Sequence, residues 1–400
     1  MRVVLLNQYF PPDTSATAKM AQTVADALSQ QHEVTVLCGR PSYDPTERRR
    51  WRLWQSERSG NLRVVRVGST TYSRFQMKWR VLNYLTYTAL VVPAALFVSC
   101  DVVLAMTDPP FEGIVGAIVA RLKRKPYAYN IRDLYPDMAL AGSIIQPGFL
   151  SRIWEPLHRW ALARATRVIV LGEDMRARIV SKGVDGSRVV VARDGAELRT
   201  GAQVTQLDPE VIRAIRGDFR FVVLHAGNLG FYGAWDTLLE AAQALQNDGI
   251  GLVFVGEGAE RKRLEAAAAG MHNVRFLDFF PASKVPSVLA APDAHVITIK
   301  DGLEGVVVPS KMYGILAAGK PIVAVAPAST DAVALGAKQG FSYGVAPGDA
   351  AGLAALLRRL SGAPEEAARL RDAAKAAAPR YDRVAELRKF VQILEEARQA

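Results

Sequence analysis

Short apolar runs alternate with amphipathic, helix-like stretches along the whole chain. The runs are rich in Val, Ile and Leu and have the length of single strands. This alternation is typical of parallel sheets covered by helices, because parallel strands need a crossover connection. Strands are predicted at 2–6, 33–37, 62–67, 102–105, 128–131, 168–171 and 189–192, and again at 221–225, 251–255, 274–277, 295–299 and 321–324.

A polar stretch without strand signals separates the two series and marks a domain boundary. We predict an N-terminal domain over 1–196, a linker over 197–219 and a C-terminal domain over 220–380. A helix predicted over 381–400 is a candidate to pack back on the N-terminal domain. The fold class is therefore α/β, with two doubly wound domains facing each other across a cleft.

The segment 81–100 is twenty residues long and carries no charge, which is enough to span a bilayer. It also contains Pro93 and several polar residues, and it leads directly into the predicted strand 102–105. We favour a buried crossover helix. A membrane-dipping helix and a true span are the alternatives, and the mixture of aromatic and basic residues at 73–80 is typical of interfacial anchors.

Charge is distributed unevenly along the 400 residues. The net charge of +11 lies entirely in residues 1–200, which carry 28 Lys and Arg against 17 Asp and Glu. The first half is therefore expected to face an anion: a membrane surface, a phosphorylated substrate or a nucleic acid. Nucleic acid is the least favoured, because the basic residues, including the run at 48–50, form no stripe interleaved with aromatics.

Composition indicates a globular protein of a reducing compartment. Half of the residues are hydrophobic, and Cys38 and Cys100 are the only cysteines. The N-terminal apolar run is too short for a signal-peptide core, so we expect a cytoplasmic protein. The five histidines and two cysteines have no metal-ligand spacing, and we expect neither a metal nor a resident cofactor.

Two residues near position 310 conflict with the helix that they are predicted to open. Ser310 is a plausible N-cap, but Lys311 places a cation against the helix dipole, and Gly314 costs about 1 kcal/mol relative to alanine. A bound phosphate would account for both residues. The alternative is that Lys311 extends into solvent and that Gly314 permits close helix packing.

Glycine-rich turns follow two strands of the second half. One contains Gly227 and Asn228, and the other contains Glu257. Such strand–loop–helix turns can bind phosphates, and turns of one parallel sheet converge at its carboxyl edge. In isolation, each is equally well explained as ordinary turn chemistry.

Polar residues also follow strands of the first half. Asp13, Thr14 and Ser15 come after the first strand, where they can line a cleft, although an N-cap role suits Thr14 or Ser15 equally well. Asp133 and Arg193 lie after later strands and are either functional or merely solvated.

Seven short motifs are distributed over essentially the whole chain. They are NQYFPPD (7–13), HEVTVL (32–37), DLYP (133–136), GNLG (227–230), FVGEGAE (254–260), FLDFFP (276–281) and PSKMYGILAAGKP (309–321). Together they resemble the motifs of the retaining, nucleotide-sugar-dependent glycosyltransferases of family 4, which have the GT-B fold of two Rossmann-like domains. The most specific of them is PSKMYGILAAGKP.

The resemblance implies that the C-terminal domain binds the donor and the N-terminal domain the acceptor. Lys311 and the Gly227 turn would hold the diphosphate, Asp278 and Phe279 would border the base, and Glu304 would lie near the sugar. The candidate catalytic residues are Glu304, Lys311 and Asp133; the donor-binding candidates are Gly227, Asn228, Arg193, Glu257, Asp278, Phe279, Ser310 and Gly314; the acceptor-binding candidates are Asp13, Thr14 and Ser15.

The chain departs from the family pattern at the donor site. Gly314 occupies the place of the second family glutamate, and Glu304 lies two positions upstream of the first. Asn228 and Tyr232 replace an arginine and a lysine of the glycine-rich turn, which shifts the expected diphosphate contacts to Lys311 and Arg193.

The function predicted from these features is sugar transfer from a nucleoside-diphosphate sugar to an acceptor hydroxyl with retention. A lipid-linked or surface glycan is the favoured acceptor, as in polysaccharide biosynthesis, with peripheral contact to the inner face of an anionic membrane. The alternatives are a small natural-product acceptor, a sugar-nucleotide epimerase of the same fold, and a non-catalytic nucleotide- or glycan-binding protein.

Overall fold

The computed structural model of the protein describes residues 1–42, 52–73, 76–198 and 207–399. The chain forms two compact units. Unit 1 comprises Met1–Leu171, Arg176–Ala192 and Leu387–Ala400, and unit 2 comprises Gly172–Met175 and Arg193–Glu386. The arginine run 48–50 and positions 74 and 75 of the basic, aromatic stretch lie outside the described residues.

Each unit is built on one twisted sheet. The strands are β1 (Arg2–Leu6), β2 (Glu33–Cys38), β3 (Trp54–Ser59), β4 (Leu62–Val67), β5 (Val102–Ala105), β6 (Tyr127–Asn130), β7 (Arg167–Val170) and β8 (Val189–Val191) in unit 1, and β9 (Phe221–Ala226), β10 (Ile250–Val255), β11 (Val274–Leu277), β12 (Ala294–Thr298), β13 (Ile322–Val325) and β14 (Ser342–Val345) in unit 2. The strand orders are β3-β4-β2-β1-β5-β6-β7-β8 and β11-β10-β9-β12-β13-β14. Only β3 pairs antiparallel among these strands, so the predicted α/β class is confirmed.

Helices fill most of the connections between strands. In chain order they are α1 (Ala16–Ser29), α2 (Met77–Phe97), α3 (Glu112–Lys123), α4 (Asp137–Ala141), α5 (Phe149–Arg164), α6 (Glu173–Ser181), α7 (Pro209–Arg216), α8 (Trp235–Ala244), α9 (Arg261–Ala267), α10 (Val285–Ala290), α11 (Lys311–Ala317), α12 (Asp331–Gln339), α13 (Ala350–Gly362), α14 (Pro364–Ala377) and α15 (Arg383–Gln399).

The core of unit 1 forms because its central strands are apolar on both faces. Every residue of β5 is buried, as are four of the five residues of β1. Strands buried on both faces are expected where helices cover a parallel sheet. The C-terminal helix α15 contributes Phe390, Ile393 and Leu394 to this core.

Unit 2 places a topological switch point between β9 and β12. The chain winds outward from β9 to β11 on one side and from β12 to β14 on the other. In doubly wound sheets, ligands bind outside the carboxyl ends of the strands at such a point. The turns that leave β9, β10, β11 and β12 are therefore the first place to look for a site.

The structure contains elements that the sequence pattern did not predict. Strands β3 and β14 were not predicted, and α7 lies inside the predicted linker 197–219. Asp208 caps α7, and Val211 and Ile215 pack in the core of unit 2. The change from unit 1 to unit 2 occurs between residues 192 and 193, and the segment from 387 onward groups with unit 1.

Helix α2 connects β4 to β5 and includes most of the uncharged segment 81–100. It is long and apolar enough to span a bilayer, yet one third of its most apolar 18-residue window is buried within the fold. Tyr87, Val91 and Ala94 pack inward, whereas Leu85 and Phe97 are exposed. The helix is therefore a crossover helix of the sheet, as favoured, but an apolar side of it remains exposed.

Candidate functional site

The glycine-rich turns after β9 and β10 pack directly against each other. A Cβ on Gly256 would lie 2.0 Å from the carbonyl oxygen of Gly227, so only glycine fits at position 256. Leu229 N donates to Glu257 O at 2.8 Å, and Gly256 N donates to Leu277 O at 2.9 Å. These contacts bring the turns of three neighbouring strands together, as the carboxyl-edge argument predicts.

Arg261 fixes the outer part of this edge. Its guanidinium donates to Gly256 O at 2.8 Å and lies 2.9 Å from the Glu257 carboxylate and 2.8 Å from that of Asp278. Two predicted donor-binding carboxylates therefore share one arginine. Their shared role in the structure is to tie the β10 and β11 turns together.

The amine of Lys311 lies over the first glycine-rich turn. Its Nζ is 3.1 Å from Nε2 of the buried His225, and a Cβ on Gly227 would come within 3.1 Å of the same Nζ. Gly227 has a φ of +140°, so both conformation and space require glycine there. Desolvation lowers the pKa of Lys311 to about 7. Among the described residues no carboxylate forms an ion pair with this amine, and the amine does not extend into bulk solvent.

The beginning of α11 differs from the sequence prediction in one respect. Ser310 occupies the N-cap position with helical φ and ψ, and its side chain makes no cap hydrogen bond, so the predicted capping role is wrong. Gly314 has room for a side chain, because an added Cβ would make only an ordinary 3.6 Å contact with Leu289. Close helix packing therefore does not explain this glycine.

Arg193 is held by a buried carboxylate. Its guanidinium lies 3.2 Å from Asp331, with the two side chains 12% and 3% exposed, and it lies 6.0 Å from the ring centroid of Tyr381. Asp331 also accepts from Glu173 N, and its own N–H donates to Asp174. This network holds the Arg193 guanidinium in place within unit 2, and its donor-binding role stays a prediction.

The remaining donor candidates lie on the surrounding turns. Asn228 is exposed in the first glycine-rich turn, and the Tyr232 hydroxyl donates to its carbonyl oxygen at 2.7 Å. Phe279 is 57% exposed beside Gly256. Glu304 is partly buried in the loop between β12 and α11.

In unit 1, the predicted acceptor residues have local structural roles. Ser15 caps α1, because its Oγ accepts from Ala18 N at 3.1 Å. Asp13 is buried and accepts from Ser42 N at 2.8 Å, whereas Thr14 is exposed. The N-cap alternative for Ser15 is the one that the structure contains.

A second polar cluster lies at the carboxyl edge of the unit 1 sheet. Burial raises the pKa of Asp108, which lies in the turn after β5, against the opposing effects of the Thr17 hydroxyl and the Arg80 and Arg132 guanidiniums. Arg80 donates to the Tyr84 hydroxyl at 2.7 Å. Asp133 is partly buried in the turn that follows β6 on the same sheet.

Comparison with known proteins identifies the family to which this two-sheet chain belongs. A family described as "Glycosyl transferase 4-like domain" matches residues 15–195, and one described as "Glycosyl transferases group 1" matches residues 213–377. The chain belongs to the family 4 glycosyltransferases. This confirms the resemblance on which the sequence prediction rested.

Individual relatives of this glycosyltransferase are distant in sequence. It is 26% identical to the probable glycosyltransferase WbjE of Pseudomonas aeruginosa, over 64% of this chain and 65% of that protein. It is 22% identical to the putative colanic acid biosynthesis glycosyl transferase WcaI of Escherichia coli K12, over 83% and 84% of the two chains. The match therefore spans just under two thirds of WbjE.

Solved structures confirm the GT-B fold. The Anabaena protein HepE in complex with UDP-glucose superposes with a TM-score of 0.70 at 19% identity, over 99% of this chain and 100% of that one. A sucrose-phosphate synthase of Thermosynechococcus elongatus has a TM-score of 0.75 at 15% identity, over 99% and 98%. At these identities, the likeness is one of fold.

The glycosyltransferase has polar residues near both sheet edges that sequence reasoning missed. Asp108 follows a strand just as Asp133 does, so the strand-end rule could have found it. Lys300 lies at the end of β12, donates its N–H to Tyr232 O at 2.8 Å and places its Nζ 5.6 Å from the ring of Phe231. His225 had no local signal, because its polar partner is 86 residues away.

No group of three or more His, Cys, Asp or Glu side chains within residues 1–42, 52–73, 76–198 and 207–399 is arranged to hold a metal ion.

Proposed function

We propose that this glycosyltransferase moves a sugar from a UDP-sugar to a glycan acceptor with retention of the anomeric configuration. The observation that carries the proposal is the position of the Lys311 amine over the Gly227 turn, at the switch point of a doubly wound sheet. HepE has the same fold as this chain, and its structures with UDP and UDP-glucose support a uridine nucleotide as the donor.

The chemistry follows from the charge that develops as the donor reacts. Cleavage of the sugar–phosphate bond places negative charge on the leaving diphosphate, and an ammonium group held in a desolvated position stabilises that charge more than water does. Lys311 is such a group. Because the lysine supplies this cation, we propose that transfer needs no divalent metal, and activity is expected to survive EDTA.

The other donor roles extend the same geometry. The exposed ring of Phe279, beside the β10 turn, offers a face on which the base can stack. Glu304, in the loop that leads into α11, is proposed to contact the donor sugar. Exchange of Glu304 for glutamine is expected to lower kcat more than it raises KM.

The acceptor is proposed to be a lipid-linked glycan of a bacterial surface polysaccharide. The names of WbjE and WcaI place those relatives among glycosyl transferases, and that of WcaI specifies colanic acid biosynthesis. In unit 1, Asp108, Arg80 and Tyr84 place one carboxylate, one guanidinium and one hydroxyl at the sheet edge, which suits hydrogen bonding to sugar hydroxyls or to a phosphate. Asp133, on the same edge, is a further candidate contact.

Membrane contact is proposed through one face of unit 1, formed by α2, α3 and α5. Helix α3 packs against both others, and together they expose eleven large apolar side chains, of which Phe97 is 85% and Phe149 is 81% exposed. These side chains are Met77, Val81, Leu85, Leu96, Phe97, Ile118, Leu122, Phe149, Leu150, Ile153 and Leu157. So large an exposed apolar surface marks an interaction site.

Cations border this apolar face and favour an anionic bilayer as its partner. The sequence RLKRK (121–125) ends α3, and Lys123 Nζ donates to Leu96 O at 3.1 Å, which places the basic run beside Phe97. Basic residues around an apolar face are typical of interfacial helices. We propose that the enzyme lies on the inner face of the cytoplasmic membrane.

The function is tested by release of UDP. The full-length protein is incubated with UDP-glucose and UDP-galactose, with and without a lipid-linked oligosaccharide fraction. Acceptor-dependent UDP release and an α-linked product from the α-linked donor, assigned by NMR, are expected. UDP release that is independent of acceptor would indicate an epimerase or hydrolase instead, and binding without any turnover would indicate a non-catalytic protein.

The membrane contact is tested by sedimentation with vesicles. Phosphatidylcholine vesicles containing phosphatidylglycerol are expected to bind the protein, and binding is expected to weaken with salt. Phe97→Asp should reduce binding, whereas Val285→Asp, at an exposed apolar position of unit 2, should not. Equal binding by the two variants would contradict the proposed face.

A further inference from the structure

His225 is a buried polar residue at the candidate donor site to which neither the sequence motifs nor the proposed mechanism gives a role. It is the penultimate residue of β9 and is fully buried. Its ring packs edge to face on Trp235, with centroids 4.8 Å apart. Its Nε2 is 3.1 Å from Lys311 Nζ, and it pairs with Phe254 in the sheet, so its position is fixed by packing.

The protonation of this pair follows from simple chemistry. Burial, and then the charge of Lys311, lower the pKa of His225 well below its ordinary value, so its imidazole is neutral. An ammonium group has hydrogens to donate and no acceptor, whereas a neutral imidazole has one acceptor nitrogen. When Lys311 is protonated, Nε2 therefore accepts from its ammonium, and the imidazole hydrogen lies on Nδ1, a buried atom with no hydrogen-bond partner among the described residues.

We propose that His225 is a positioning residue for the donor diphosphate: its Nε2 takes one hydrogen of the Lys311 ammonium and holds the other two over the Gly227 turn, where the diphosphate binds. A lysine side chain has many rotamers, and an acceptor built into a strand selects one of them before the ligand arrives. The inference rests on the proposed function, because it assigns the diphosphate to Lys311.

A consequence is that nucleotide binding takes up a proton. With a pKa of about 7, Lys311 is half protonated at pH 7 and mostly neutral at pH 8.5. A bound diphosphate favours the ammonium, so its affinity is expected to fall by about 15-fold between these pH values. Among the described residues, the buried His295 of β12 acts on His225, and Lys320 acts on His295; neither supplies a negative charge.

The experiment is calorimetric titration of the full-length protein with UDP, from pH 7 to 8.5, in two buffers that differ in ionisation enthalpy. Three variants are compared with the wild type. His225→Leu removes the acceptor, and His225→Gln restores one near the position of Nε2. The matched control is His295→Gln, since His295 is a buried histidine whose Nε2 bonds instead to Leu289 O at 2.9 Å.

For the wild type and His295→Gln, we expect proton uptake on UDP binding and an affinity for UDP that is about 15-fold lower at pH 8.5 than at pH 7. For His225→Leu, we expect Kd at least about tenfold weaker at pH 7 and a pH midpoint displaced downward, because its lysine loses a stabilising hydrogen bond. His225→Gln should recover most of the affinity. The inference would be overturned if a folded His225→Leu protein bound UDP with the Kd and the pH dependence of the wild type.

Two further measurements separate this inference from the proposed function. If His225→Leu does not fold, His225→Phe replaces it in the same titration, because its ring can pack on Trp235 but offers no acceptor to Lys311; a wild-type Kd in a folded His225→Phe overturns the inference. Lys311→Met tests the function itself. If Lys311→Met loses UDP binding and the His225 variant does not, the proposed function stands and the role of His225 is refuted. If Lys311→Met binds UDP like the wild type, both the proposed function and the role of His225 are refuted.

Discussion

The substitution Gly314→Ala tests whether position 314 requires glycine for the packing of the fold or for the binding of a ligand. The residue lies in the middle of α11, where glycine costs about 0.5–1 kcal/mol relative to alanine. The new methyl group would have Leu289 Cδ1 as its nearest neighbour, at 3.6 Å, which is ordinary contact. Gly314→Ala is therefore expected to raise the unfolding free energy of unit 2 by about that amount, or its Tm by about 1–4 °C.

The same methyl group should weaken donor binding if the nucleotide approaches the backbone at this position. Overpacking of this kind costs about 1–3 kcal/mol, which is about 5- to 150-fold in Kd. The assay is thermal unfolding and UDP titration of Gly314→Ala beside Gly362→Ala, a helix-terminal glycine of α13 whose added Cβ meets nothing within 4 Å. The control should keep the wild-type Kd. A lower Tm for Gly314→Ala would show that packing requires the glycine, and a higher Tm with unchanged Kd would show that no ligand approaches it.

Three further predictions concern the framework of unit 2. Arg193→Met leaves Asp331 buried without its partner and should lower the unfolding free energy by about 3–5 kcal/mol; weaker UDP binding at unchanged stability would instead make Arg193 a ligand of the donor. Burial and the charge of Asp331 raise the pKa of Asp174 from 3.8 to about 6, so this carboxyl destabilises the fold increasingly as the pH rises from 4 to 6. Asp174→Asn should gain up to about 3 kcal/mol over the wild type at pH 7 and nothing at pH 3.5, and a gain independent of pH would contradict this origin. Arg261→Leu should lower stability by about 1–3 kcal/mol in denaturant titrations, because the bonds to Gly256 O and to two carboxylates are lost; unchanged stability would mean that the turns hold themselves together.

The sequence predicted the elements whose signals are local. The buried parallel strands are continuous apolar runs, and twelve of the fourteen strands in the described part of the chain were predicted within a residue or two at each end. Strand β3 was missed because its sequence, WQSERS, is polar and its residues are mostly exposed, so it has no hydrophobic signal. Strand β14 was missed because SYGV is short and contains a glycine.

The site was predictable where a residue conflicts with its own helix and not where its role depends on a distant partner. Lys311 was singled out because a cation in a first turn opposes the helix dipole. Arg193 was predicted to bind the donor, and that prediction stands beside an ion pair that no local pattern reveals, because its partner Asp331 is 138 residues further along the chain. For Ser15, sequence left two roles open, and the structure contains the cap.

The central claim is that the Lys311 amine binds the diphosphate of the donor, and it is tested most directly by comparing UDP with uridine. Hydrogen bonds to charged groups contribute about 1.5–3 kcal/mol, so Lys311→Met is expected to weaken UDP binding about 10- to 150-fold by calorimetry at pH 7 and to leave uridine binding unchanged. A Lys311→Met protein that binds UDP as tightly as the wild type, or that loses affinity for uridine and UDP equally, would contradict the account.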